Sequence, residues 1–330
     1  MGSSLPSTPA ASPAFLAAFR VRADADGTMS FDRFMDLALY DATVGYYRRD
    51  AARVGYGPGT DFFTASTSGP LFGELVSAAC INLLGDEDPK RHTFIEIGAE
   101  SPQGVLAGVA HPFAGAGTVR VGQPLDLAGP SVVFSNELFD AQPFRRFVFR
   151  AGDWHEIGVR LGGDTLVDVE LPIRDHPGIL PTTAPDGYVI DAPLAAVALT
   201  KRLAAQPWTG LFVAFDYGKS WPELAGECPS GTARAYHRHT QSNDLLARPG
   251  EQDLTCHVCW DWLAEALSKQ GFAQPVLESQ EAFFVHHAGE LIAATMAAEA
   301  ARFSPRKLSL LQLLHPTHLG QKFQVLHARR

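Results

Sequence analysis

Thr93-Phe94-Ile95-Glu96-Ile97-Gly98-Ala99-Glu100-Ser101-Pro102 is the stretch that decides the architecture. Residues 93–97 form a short, mostly apolar run, too brief for a stable helix and bounded by glycine, which reads as a buried strand. Gly98 lets the chain turn sharply and lets a ligand come close to the backbone. A short helix is expected from about Pro102. The same grammar recurs downstream. Residues 131–134 read as a buried strand ending at Ser135-Asn136-Glu137, and residues 211–215, after a helix over 192–205, end at Asp216-Tyr217-Gly218. Apolar strands alternating with helices predict an α/β fold with a mainly parallel sheet covered on both faces. Ligands of such sheets bind beyond the carboxyl ends of the strands, so the three strand ends are where function is sought.

Outward from this frame, residues 1–14 are rich in Ser, Pro and Ala and read as a loose tail. From Phe15 to about Leu39 apolar residues fall at helical spacing, with Phe31, Phe34, Met35, Ala38 and Leu39 in one stripe and Ser30 as a candidate N-cap. Residues 40–59, with Gly45-Tyr46-Tyr47 and Gly55-Tyr56-Gly57-Pro58-Gly59, suit an ordered loop. A helix is expected over 68–84, with Pro70 in its first turn. Residues 147–149, 156–161 and 165–171 read as antiparallel strands separated by Gly-Asp and Gly-Gly turns. Residues 253–270 pass from a short strand into a helix, and residues 322–327 read as a last strand.

Composition excludes several classes of function. The 330 residues are 46% hydrophobic and 19% charged, ordinary for a globular chain rather than a disordered one. Net charge is −9, which argues against duplex nucleic acid as the main partner. No apolar run approaches the ~18 residues of a membrane helix, so no membrane insertion is expected. Four cysteines cannot frame a secreted miniprotein of this length. The amino terminus shows no basic segment followed by an apolar core, and Pro6 stands where a myristoylation signal wants Ser or Thr. A cytoplasmic protein is the expectation.

Each candidate motif has a plainer reading beside it. Asn136-Glu137-Leu138-Phe139-Asp140 sets two carboxylates and an amide at a strand end, able to grip a cation such as guanidinium. It also fits a solvated turn, or Asp140 as a helix cap. Cys256-His257-Val258-Cys259 invites a metal or redox reading, but no second cysteine pair exists, and alternating strand faces would separate the two thiols. Buried thiols are the better reading, and no metal is expected. His257 stays a candidate polar group near a strand end, against a satisfied structural histidine. The hydroxyl-rich turn before Pro70 is read as a cap.

Taken in order, these pieces resemble the MidA-like family of S-adenosylmethionine (SAM)-dependent methyltransferases, kin of a mitochondrial assembly factor for respiratory complex I. The resemblance runs from Phe31-Asp32-Arg33-Phe34-Met35 and Gly45-Tyr46-Tyr47 through Asp61-Phe62-Phe63-Thr64-Ala65 and Phe72-Gly73-Glu74. It continues in Glu96-Ile97-Gly98, residues 136–143 and Asp216-Tyr217-Gly218, and closes with Arg234-Ala235-Tyr236, residues 249–258 and Gly320-Gln321-Lys322-Phe323. It implies a class I (Rossmann-like) methyltransferase sheet of seven strands over residues 91–330, an N-terminal helical cover over 15–90, and a β-rich insertion at about 147–190. It implies SAM as cofactor and a protein side chain as acceptor, an arginine-type nitrogen by analogy with the complex I branch. Carried over by position, Glu96, Gly98 and Ala99 hold the methionine end of SAM, while Thr64, Ala65 and Glu74 belong to the cover of the pocket. Asn136, Glu137 and Asp140 face the reacting centre, and His257 completes the catalytic candidates. A protein substrate or assembly partner is implied, and a homodimer stays open.

This chain departs from the family at three places. The family's Gly-x-Gly-x-Gly loop is Gly98-Ala99-Glu100-Ser101-Pro102-Gln103-Gly104 here, with Glu100 where the backbone approaches SAM's own carboxylate. Between residues 97 and 132 there is room for one helix and the candidate strand 118–121, with no acid at its end to hold the ribose hydroxyls; Asp126 is a weak substitute. Cys259 stands where the family has Asp. These departures motivate an alternative: a catalytically degenerate methyltransferase-like scaffold serving as a protein-binding or assembly module.

Overall fold

The computed structural model describes residues 11–49, 69–300, 304–315 and 319–330. Helix α1 (Pro13–Arg22) is capped by Ser12, whose hydroxyl accepts from the Phe15 N–H at 3.2 Å. The apolar stripe expected to run to Leu39 is broken here. Gly27 takes φ +76°, Asp26 accepts from the N–H and hydroxyl of Thr28, and the chain extends as β1 (Thr28–Ser30) before α2 (Phe31–Tyr40). Helix α3 (Pro70–Leu84) begins at Pro70 and leads to the strands β2 (Thr93–Ile97), β3 (Gly115–Val119) and β4 (Gly129–Asn136). There follow β5 (Arg145–Arg150), β6 (Asp153–Gly162), β7 (Thr165–Leu171), β8 (Val189–Ala192), α4 (Leu194–Ala204), β9 (Trp208–Asp216), β10 (Gly218–Lys219) and α5 (Trp221–Gly226). The chain closes with β11 (Arg234–His237), β12 (Thr240–Ser242), β13 (Asp253–Thr255), β14 (Val258–Cys259), α6 (Trp260–Ser268), β15 (Val276–Ser279), α7 (Gln280–His287), α8 (Gly289–Ala298), α9 (Pro305–Leu314) and β16 (Gln324–Arg329).

The central sheet has the order β15-β16-β9-β4-β2-β3, with β3, β2, β4 and β9 mutually parallel and β16 antiparallel to both its neighbours. This is the class I methyltransferase arrangement with six strands among the described residues, not the seven expected. The edge position beyond β3 is the one left out, as the short interval between residues 97 and 132 requires. Strand residues alternate between two cores. Phe94, Val132, Phe134, Val213 and Phe215 pack under α3, α7 and α9, while Val133, Phe212 and Ala214 pack under α4 and α6. Each fully buried Phe contributes about 1.5–3 kcal/mol by leaving water, so the two layers hold the strand ends in fixed relation.

A second sheet, antiparallel, has the order β1-β6-β5-β8 with β7 on β6. It joins the expected antiparallel strands to the N-terminal segment, since β1 pairs with β6. Phe15, Phe19, Phe31 and Phe34 fill the space between this sheet and the small sheet β12-β11-β13, together with Phe144, Val159, Ala235 and Leu254. This packing lays the N-terminal helices over one flank of the strand ends.

The helix expected from Pro102 does not form. Residues 98–114 run as turns, with Gly104 at φ +65° and Gly108 at φ +69°. The Val105 N–H donates to the Glu96 carboxylate at 2.5 Å instead of to a helical carbonyl.

Candidate active site

Strands β2, β4 and β9 are parallel, so Gly98, Asn136-Glu137 and Asp216 leave the sheet at the same edge. The chain runs from β2 outward to β3 and then back across to β4, so the crevice sits where the strand order reverses. Two cavities open there, of about 230 Å³ and about 540 Å³, both lined by Tyr47, Gly98, Glu100 and Glu137. The larger lies within the range of about 300–1,000 Å³ common for small-molecule sites. Among the described residues, the space past Gly98 is open.

Gly98 adopts φ +79°, and a Cβ there would lie 2.7 Å from Leu138 Cδ1. Only glycine fits that turn without strain. Glu137 lies at φ +51°, a left-handed backbone that non-glycine residues adopt at a cost. That conformation turns its side chain to the junction of the two cavities. The loop after it is gripped by Asp216, whose Oδ2 accepts from the N–H groups of Leu138, Phe139 and Asp140 at 3.2, 2.8 and 3.3 Å. Its Oδ1 accepts from the Tyr217 N–H at 2.8 Å. The Asp140 carbonyl in turn accepts from the Cys256 N–H, which ties the 253–257 segment to the same loop.

The smaller cavity is acidic. Glu96, Glu137, Asp140 and Asp253 line it beside Asn136, Tyr217, Arg234, Tyr236 and His257. Tyr47 donates its hydroxyl to Asp253 at 2.9 Å. Burial pushes the Glu137 carboxyl well above its ordinary range, with Asp216 adding repulsion. Asp140 is raised in the same way, by burial first and then by Asp216 and Glu137. Burial pushes Glu96 and Asp216 up to about 7 each. Burial also moves His257 the other way, down to about 4, with Lys219 and Arg234 adding to the effect. A neutral imidazole thus sits beside a group of carboxyls that resist ionisation.

Three buried polar atoms of this cavity's lining residues have no hydrogen-bond partner among the described residues: Asn136 Oδ1, Asp140 Oδ1 and His257 Nδ1. A buried acceptor without a donor costs about 1–3 kcal/mol, so such atoms point to a ligand that brings donors. A cation carrying several N–H groups matches that demand.

The larger cavity differs in character. Ile97, Val119, Val121, Leu125 and Leu138 give it apolar walls, with Arg48, Arg49, Arg120 and Arg202 around its rim. Arg120 directly follows β3, the position where the family resemblance calls for an acid, and Asp126 is not among its lining residues. Glu100 is exposed and lines both cavities, so it stands at the mouth rather than plugging it.

The structure thus gathers Glu96, Gly98, Asn136, Glu137, Asp140 and His257 around one cavity, with Ala99 lining its neighbour. Glu74 lies apart: its carboxylate pairs with Arg306, and it lines neither cavity among the described residues. Thr64 and Ala65 fall outside the described residues. Cys256 and Cys259 are buried free thiols, and burial raises both, Cys259 to about 12, so neither is a thiolate at neutral pH. Tyr47, Asp216 and Asp253 lie in stretches that the sequence marks out, but none of them is named there as a site residue. Asp216 had a signal, standing at the end of an apolar run as Asn136 does.

No match was found among curated proteins. Two solved structures from Burkholderia thailandensis superpose over 98% of this chain and 95% of theirs at 24% identity. One was determined with S-adenosyl-homocysteine bound and gives a TM-score of 0.84; the other, a native structure, gives 0.80. At that identity they establish the fold. Residues 119–276, which carry Asn136, Glu137, Asp140, Asp216 and His257, match the family described as "Putative S-adenosyl-L-methionine-dependent methyltransferase".

Proposed function

We propose that this protein is a SAM-dependent methyltransferase of the MidA-like kind, acting in the cytoplasm on an arginine-type nitrogen of a protein partner. The observation that carries the reading is the acidic cavity with unpartnered Asn136 Oδ1 and Asp140 Oδ1, adjoining a larger, partly apolar cavity across Gly98 and Glu137. The apolar walls suit an adenosyl group, and the acidic end suits a cation. When bound, the cofactor supplies an electrophilic methyl group on a sulfonium.

Glu137 and Asp140 would hold a guanidinium by charge-assisted hydrogen bonds and aim one nitrogen along the line of transfer. Asp216 keeps their loop in place through three backbone N–H groups. Carboxyls raised above their ordinary range are also suited to take up the proton that the nitrogen sheds on methylation. Gly98 keeps the backbone low enough for close approach.

Two observations pull toward the alternative of a non-catalytic binding module: residues 98–114 form no helix, and Arg120 stands where the resemblance calls for a ribose-binding acid. Titration with S-adenosyl-homocysteine, followed by incubation with labelled SAM and a protein extract, decides between the two. Heat of binding and label recovered in methylarginine are expected. Absence of binding at millimolar ligand would favour the module, and label in any other amino acid would refute the acceptor.

A further inference from the structure

Away from the crevice, under α7, three side chains from three elements converge. Glu278 lies on β15, His287 ends α7, and His327 lies on β16, and their ligating atoms all fall within 4.8 Å of one another. Both imidazole Nε2 atoms face the same carboxylate oxygen, Glu278 Oε2, at 2.9 Å from His287 and 3.1 Å from His327. Phe283 packs against both rings, with centroids at 5.2 and 5.6 Å. His287 has a second polar contact: its Nδ1 meets Asn82 Oδ1, on α3, at 3.2 Å. His286 Nδ1 reaches the other oxygen, Glu278 Oε1, at 2.5 Å.

Protons alone serve this arrangement poorly. Asn82 Oδ1 accepts, so it calls for a proton on His287 Nδ1. A hydrogen bond to Glu278 calls for a second proton on Nε2. His287 would then be a cation, crowded with two further imidazoles onto one carboxylate. A divalent ion between the three ligand atoms resolves the conflict: the Nε2 lone pairs and Oε2 turn to the metal, while Nδ1–H donates to Asn82. An outer partner that fixes the tautomer of a ligating histidine is the usual companion of such sites.

We propose that Glu278, His287 and His327 bind a divalent transition-metal ion of the zinc class, which fastens β15 and β16 to α7 and, through Asn82, to α3. Two imidazoles and a carboxylate are a ligand set suited to zinc and its neighbours rather than to calcium or magnesium. Tetrahedral ligands at about 2.0–2.1 Å from zinc lie roughly 3.3 Å apart, so the two histidine–carboxylate separations of 2.9 and 3.1 Å need open by only a few tenths of an ångström, while the two imidazole nitrogens lie within 4.8 Å of each other. The site leaves a fourth position, which the more exposed His286 or water can fill. The ion is distinct from the methyl-transfer crevice, whose residues belong to other strand ends.

The test uses the full-length chain, stripped with chelator and titrated with Zn²⁺ and Co²⁺ against a competing indicator. About one equivalent of tight binding and a raised melting temperature are expected. Cobalt should show visible ligand-field bands without thiolate charge transfer, which excludes Cys256 and Cys259 as ligands. His287→Gln should abolish binding while far-ultraviolet circular dichroism stays native, and Asn82→Ala should weaken it by about 10–100-fold. The exposed His286→Ala variant should retain it. Absence of binding by the native chain at micromolar free Zn²⁺ would overturn the proposal. So would equal affinity in the native chain and His287→Gln, or a thiolate band with cobalt.

Discussion

Glu96→Gln isolates the cost of one buried acid. The native carboxyl is displaced from 4.5 to about 7, chiefly by burial and against the pull of the Val105 N–H, with Glu100 adding repulsion. At about 1.36 kcal/mol for each unit of displacement, this is about 3 kcal/mol. The sign follows from which state releases the proton first. Below pH 4.5 both the folded and unfolded chains keep it, and Glu96 contributes no pH dependence. Between pH 4.5 and 7 the unfolded chain gives it up while the folded chain does not, so stability falls as pH rises. Above pH 7 the loss is complete, at about 3 kcal/mol. Glutamine does not titrate, and its carbonyl oxygen can still accept from Val105. Urea unfolding of both proteins at pH 5 and pH 8 gives the measurement, with other titrating groups common to the two. The variant should gain about 2.5 kcal/mol on the native chain between those pH values, part of the loss having occurred below pH 5, whatever fixed cost the amide carries. Parallel pH dependences for the two proteins would refute the burial of Glu96 as a source of strain.

Four other outcomes follow from the same geometry. Gly98→Ala should lower stability by about 1–3 kcal/mol in denaturant melts, since the new Cβ meets Leu138 at 2.7 Å and φ is +79°; adding Leu138→Ala should recover only the contact part. Asp140→Asn removes the charge from the unpartnered acceptor, and a lost charged hydrogen bond of about 1.5–3 kcal/mol should lower kcat/KM by about 10–100-fold. Glu100→Gln should tighten S-adenosyl-homocysteine about fivefold by calorimetry, because like charges at about 4 Å repel by about 1 kcal/mol in water. The pH–rate profile should show no step owed to His257, which is held down to about 4; it should rise where the buried carboxyls ionise, Glu96 and Asp216 at about 7 and Glu137 and Asp140 above the ordinary carboxylate range.

Much of the sheet was legible because strands buried on both faces are written as apolar runs. Residues 93–97, 131–134 and 211–215 needed no tertiary information, and the residues just after them mark the crevice. The turns over 98–114 were not legible in the same way. Ser101-Pro102 looks like a helix start, yet Gly104 at φ +65° and the reach of Glu96 to Val105 draw the backbone elsewhere. That preference depends on a side chain eight residues upstream of Gly104. Asp253 and Tyr47 were hidden for a related reason: they meet across 206 positions, and nothing local marks them as partners. The cluster of Glu278, His287 and His327 is likewise assembled only by strand pairing and by the end of α7. The Cys256–Cys259 spacing, read in the sequence as buried thiols rather than ligands, corresponds to two buried free cysteines.

The acids that burden the fold are also the ones we propose for catalysis, and the two roles share a cause. Glu137 and Asp140 are buried beside Asp216, which needs its own charge to collect the loop N–H groups. With no cation present, burial and mutual repulsion favour keeping protons on Glu137 and Asp140. A guanidinium entering the cavity reverses the balance: it brings donors to Asn136 Oδ1 and Asp140 Oδ1 and charge to offset the repulsion, so protons leave as the cation binds. Proton and substrate compete for the same oxygens. A neutral side chain of equal shape supplies no such exchange, which makes discrimination in favour of a cation a property of the empty pocket's instability rather than of any single contact. Replacing these acids by apolar residues should therefore strengthen the fold while removing the selectivity, the trade that functional sites commonly show.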